Sequence, residues 1–179
     1  MRILLLGLAL GAAIPAHATG LADLASKLDA ISGICADMAT QAKSADSMAE
    51  LEAQISERRE SQRVRHAVEL YSIGNGRRDT ELHRIHLLQE SARRLSAETQ
   101  ERIQASVERR EQISECIASA LEQGKQAHRD SRGPKPVPAA VDLVSAWIAN
   151  TETISVQDPQ GREEPRAVWR REKARAELD

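Results

Sequence analysis

A formal net charge of −2 over 179 residues gives no electrostatic reason to expect nucleic acid or an anionic lipid surface as a partner. Aromatic residues make up only 2% of the chain and phenylalanine is absent, which excludes a thick globular core. About half of the residues between Gly20 and Ala127 are Ala, Glu, Lys, Leu or Arg, the composition of a long helix or coiled coil.

Met1 to Ala18 reads as a secretory signal peptide. Arg2 precedes the apolar run Ile3 to Leu10, Pro15 ends it, and Ala16-His17-Ala18 supplies the small residues of a cleavage site. The apolar run is shorter than the roughly 20 residues of a bilayer span. A mature chain starting at Thr19 would lose Arg2, taking the charge from −2 to −3. The expected location is periplasmic or secreted, with no membrane insertion after cleavage.

From Leu21 the apolar residues Leu24, Leu28, Ile31, Cys35, Met38, Ala42 and Ala45 follow in steps of three and four, a heptad seam. Ser47-Met48-Ala49-Glu50 has the form of a capping box, so a kink or restart is expected there. The seam is then expected to pass through Met48, Leu51, Ile55, Val64, Val68 and Tyr71, and is thin between Ser56 and Arg63.

The long helical stretch reverses at Gly74-Asn75-Gly76, its only glycines between Ile34 and Gln123, a span without proline. Residues 19–127 therefore read as a long antiparallel helical hairpin, all-α and coiled-coil-like, with its tip at 74–78. Asp79 is the expected N-cap of the returning helix, whose seam is read as Leu82, Ile85, Leu88, Ala92, Leu95, Ile103, Val107, Ile113, Cys116, Ile117, Ala120 and Leu121. Folding about Asn75 to Gly76 brings Cys35 level with Cys116, and an intramolecular disulfide is expected. A three-helix bundle folded back at Ser47 would instead set Cys35 near Ile55 and leave the cysteines apart.

Three prolines in alternation, Pro134, Pro136 and Pro138, mark residues 128–140 as an extended linker. Residues 141–179 form a tail with short helices. One helical face there carries Val141, Val144, Trp147 and Ile148, either docked on the hairpin or offered to a partner. Val144, Trp147 and Ile148 are accordingly the candidate partner-binding residues. Thr153 to Val156 reads as a short strand with no sheet to join, and Arg166 to Leu178 as a charged helix carrying Trp169.

His66, His83 and His86 gather near the tip with Glu69 and Glu81, a conceivable nitrogen and oxygen metal site that competes with the reading of solvated surface histidines. The arginine clusters, such as Arg58-Arg59 and Arg93-Arg94, alternate with Glu57, Glu60, Glu90 and Glu98 as ion pairs along a helix do. No nucleophile elbow, zinc-protease helix motif or phosphate loop is present, so neither an enzyme nor a cofactor is expected. The sequence points to an exported helical protein acting through protein partners or self-association. Its general outline, signal-bearing and helical, resembles minor pilus subunits of type IV secretion systems; a holdase is the companion reading. A periplasmic metal sensor or buffer using His66, His83 and His86 is the alternative.

Overall fold

A computed structural model describes residues 20–131 and 137–178. The expected signal segment, 1–18, and residues 132–136 of the expected proline linker lie outside the described residues. Four helices follow in order, α1 (Leu21–Ser72), α2 (Arg77–Ser131), α3 (Pro138–Thr151) and α4 (Glu163–Ala176), with no strand among the described residues.

The two long helices pack against each other as an antiparallel hairpin. At 1.5 Å per residue each arm is roughly 80 Å long. α1 is unbroken, so the kink or restart expected at Ser47 does not occur. The Ser47 hydroxyl donates to the Lys43 carbonyl one turn back, at 3.0 Å, instead of capping a new helix. The collinear arrangement brings Cys35 and Cys116 together in a disulfide, with 5.7 Å between their Cα atoms. The fold-back bundle is excluded by the same bond.

At the tip, the Asn75 side-chain amide donates to the Tyr71 carbonyl at 2.7 Å and closes the last turn of α1. The Gly76 carbonyl accepts the first backbone bond of α2 from Thr80 N–H, at 3.0 Å. α2 begins at Arg77, so Asp79 lies inside the first turn and does not act as the N-cap. Its carboxylate still faces the positive end of the helix dipole.

The open end of the hairpin is closed by the tail. α2 continues to Ser131 and α3 starts at Pro138, so residues 128–131 and 138–140 are helical rather than extended. Pro138 is in the first turn of α3, where its missing N–H leaves no bond unmade. Leu24, Ala25 and Leu28 of α1 form one buried cluster with Leu143, Val144, Ala146 and Trp147 of α3 and Trp169 and Ala176 of α4. Lys173 of α4 reaches Asp29 of α1 at 2.5 Å.

The segment read as a strand, Thr153 to Val156, is an irregular connection. Its Ile154 and Val156 insert beside Ala36, Ala39, Ala42 and Ile113, forming a second buried cluster next to the disulfide. Gly161, the one residue with positive φ among those described, turns the chain into α4. A side chain there would meet Asn150 Oδ1 at 2.5 Å, so glycine is required on both counts.

Candidate interaction surface on the hairpin

Beyond the disulfide, the two arms meet through small and polar side chains. Counting in steps of three and four from Ala39 and Ala42, the α1 seam continues through Asp46, Ala49, Ala53, Ser56 and Glu60 to Val64. These intermediate positions are half-buried, and Val64 is buried again. Asp46 accepts hydrogen bonds from Ser106 at 3.1 Å and from Arg109 Nε at 3.2 Å. Ser56 donates to Glu98 at 2.7 Å. Glu60 takes both nitrogens of Arg63, at 2.9 and 2.8 Å, and lies 3.9 Å from Arg94 across the seam. Nearer the tip, Leu87 is buried and Tyr71 stacks on His83 with ring centroids 4.1 Å apart.

Such layers have a definite physical effect. A one-step slip of either helix would leave a half-buried Asp46 or Glu60 without its partners, so the polar groups fix the register where apolar packing is too weak to do so. Burial pushes the Asp46 carboxyl up, but hydrogen bonds from Arg109 and Ser106 with the charges of Arg109 and Arg110 outweigh it. The group is held below the usual aspartate value.

The large apolar side chains of the distal hairpin are consequently on the outside. Met48, Leu51 and Ile55, read from the sequence as the α1 seam, are 55%, 53% and 48% exposed. Leu82, Ile85, Leu88, Ile103 and Val107, read as the α2 seam, are exposed as well. The cause is the continuity of α1. Without a slip near Ser47, the register set by Cys35 and Ala42 cannot bring Met48, Leu51 or Ile55 inward. Carrying the three-four count through the polar positions, rather than re-phasing on the next large residue, would have found the true seam. Each of these side chains, about half exposed, forgoes roughly half of the about 1.5 to 3 kcal/mol that full burial contributes, a quantity that only a covering surface recovers.

Val144 and Trp147, proposed from sequence as anchors for a partner, lie in the buried cluster of the head, and Ile148 packs on its edge. The hairpin itself occupies this face. Gly124 of α2 sits directly under the indole of Trp147, and that contact was not legible in the sequence.

The histidines are not assembled into a site. His83 is half-buried on Tyr71, His66 and His86 are exposed, and among the described residues no group of three or more His, Cys, Asp or Glu is placed to hold a metal ion. Arginines along the rod pair with carboxylates one turn away, as in Arg84 with Glu81 and Arg94 with Glu90. A polar cleft of about 280 Å³ lies between α1 and α4, lined in part by Asp29, Asn150, Arg166 and Lys173. Two of its cations are held by carboxylates, Lys173 by Asp29 and Arg166 by Glu163. No described helix is long and apolar enough to cross a membrane. Comparison of the chain with protein-family models, curated proteins and solved structures finds no match.

Proposed function

We propose that this chain is an exported, non-enzymatic helical protein that acts through protein contacts made along the distal hairpin, as a periplasmic part of a secretion or envelope assembly. A single observation carries the reading: the distal arms turn most of their large apolar residues outward and, between Ala42 and Val64, fill the α1 side of the seam with small and polar ones. A free-standing rod gains nothing from that arrangement, whereas a rod laid against another helix buries the outer stripe. The disulfide fits an oxidising compartment, in keeping with export. The stapled head supplies a rigid base for the rod.

The test is site-specific photo-crosslinking in the native compartment from the outer face of α1. Crosslinkers at Leu51 and Ile55 should give the same discrete protein adduct, and crosslinkers at Glu50 and Glu57, exposed on the flank of α1, should not. Equal smears from all four positions would instead indicate nonselective holding of unfolded chains, and no adduct at any position would remove the reading.

A further inference from the structure

The outer face of α2 differs from every other surface of the rod. At 100° per residue, the positions from Leu82 to Val107 that fall within an arc of about 140° include no formally charged residue. The arc is centred on Ile85, Leu88, Ala92, Ser96, Ile103 and Val107, all of them exposed. The rest of it is Leu82, Gln89, Leu95, Thr99, Gln100 and Ser106, with the half-buried Leu95 and Ser106 at its border with the seam. The same stretch carries Glu90, Arg93, Arg94, Glu98, Glu101 and Arg102, and all of them point elsewhere. On the outer face of α1, by contrast, the apolar residues are interrupted after Ile55 by Arg58 and Arg59 and resume only at the exposed Leu70.

This face is also nearly symmetric end to end. Large residues occupy both ends, Ile85 and Leu88 at one and Ile103 and Val107 at the other, with Ala92 and Ser96 between them. Reversing the helix about Ser96 places Ile85 against Val107 and brings Leu88 to within one residue of Ile103, about 1.5 Å along the axis, with the small residues meeting in the middle. The charges that terminate the arc are compatible with this, since the strict counterpart of Glu81 is Glu111, which lies off the arc, and Arg110 of the other copy, one residue away, is the charge on the arc that Glu81 meets. A surface complementary to its own reverse is what a two-fold interface requires, because the same patch serves both partners.

We propose that the occupant of this face is a second copy of the chain, paired antiparallel along α2 about a two-fold axis at Ser96. The proposal rests on the reading of the distal hairpin as an interaction surface. A contact about 39 Å long and roughly 10 Å wide buries on the order of 800 Å² over both copies, below the roughly 1,200 Å² of standard interfaces. The pairing is therefore reversible and concentration-dependent. Close approach at Ala92 and Ser96 leaves the tips of the two rods pointing in opposite directions, with a stapled head at each end of the dimer.

Sedimentation velocity on the chain from Thr19 onward, disulfide intact, tests this across roughly 1 to 500 μM, the range in which an interface below the standard size associates. The wild type should pass from monomer to dimer. Ile85→Lys and Val107→Glu should each weaken the dimer by about tenfold or more, and Ser96→Arg, which sets two arginines against each other at the axis, should do the same. The combined Ile85→Lys/Val107→Glu chain should regain the dimer, because antiparallel pairing puts each lysine opposite a glutamate, whereas parallel pairing would set like against like. Gln54→Glu, exposed on the flank of the other arm, should leave association unchanged, and circular dichroism confirms helix content in each variant. A combined variant as monomeric as the single ones, or equal weakening by Gln54→Glu, overturns the antiparallel α2 pairing. A wild type that stays monomeric throughout also overturns it and leaves the partner reading standing, since that reading is tested on α1 at Leu51 and Ile55.

Discussion

A β-carbon placed on Gly124 would lie 2.2 Å from the indole ring of Trp147, so the tail can seat its tryptophan on the hairpin only because α2 lacks a side chain at that point. The contact joins a helix-weakening residue near the open end of the hairpin to the largest fully buried side chain of the chain. Glycine inside a helix costs about 1 kcal/mol relative to alanine. Here that local cost admits the ring that closes the head.

Gly124→Ala should therefore destabilise the protein although it improves helix propensity. The ring cannot shift by more than an ångström among Leu28, Leu143 and Trp169 without disturbing the rest of the cluster, and overpacking of this kind costs about 1 to 3 kcal/mol. The expected result is a lower melting temperature together with a red shift in Trp147 emission, recorded with Trp169→Phe as background. A more stable variant would show that the indole moves aside freely.

Cys35→Ser should lower stability by roughly 3 to 4 kcal/mol on the chain-entropy estimate for a closed loop of this size; the two cysteines are 81 residues apart. The bond lies beside the cluster of Ala36, Ala39, Ala42, Ile113, Ile154 and Val156. Its loss should loosen the head before the mid-rod polar layers separate. Hydrogen exchange should show protection falling first around Ile113 and Val156, and a uniform loss along both arms would contradict this order.

Asp46 makes the rod acid-sensitive in a predictable direction. A carboxylate held below its ordinary value in the folded state contributes stability that is complete above the unfolded range of about 3.9 and is lost as pH falls toward the lowered value. Asp46→Asn should cost about 1 kcal/mol at neutral pH, the scale of a partly exposed, well-bonded pair. The difference between variant and wild type should vanish below the usual aspartate range. Urea melts at pH 7 and pH 3 would measure it, and a difference that grows at pH 3 would reverse the assignment.

Placement of the seam can be checked with residues of equal chemistry. Leu51→Ala, on the exposed face, should change stability by less than about 0.5 kcal/mol. Leu87→Ala, buried between the arms, should cost about 2 kcal/mol, near the low end for a leucine deletion because the rod is thin. Chemical denaturation of the two variants compares them directly, and equal losses would place Leu51 on the seam after all.

Much of this molecule was determined by local signals. Unbroken helix-forming sequence, the Gly74-Asn75-Gly76 break, and two cysteines equidistant from it specify an antiparallel hairpin and its disulfide, because helix geometry turns sequence distance into position along a rod. The tip, the i to i+4 ion pairs and the existence of a helical tail were legible for the same reason. The tertiary structure alone decided which face of each helix turns inward. Met48, Leu51 and Ile55 satisfy a heptad pattern as well as Asp46, Ala49 and Ala53 do, and the periodicity of one strand of sequence cannot rank two faces of similar spacing. The rank was set across the hairpin by Arg109 and Ser106 meeting Asp46, and by Cys35 meeting Cys116. The seat of Trp147 on Gly124 and the burial of Ile154 and Val156 likewise depend on residues far apart in the chain, whose complementarity exists only once the arms are side by side.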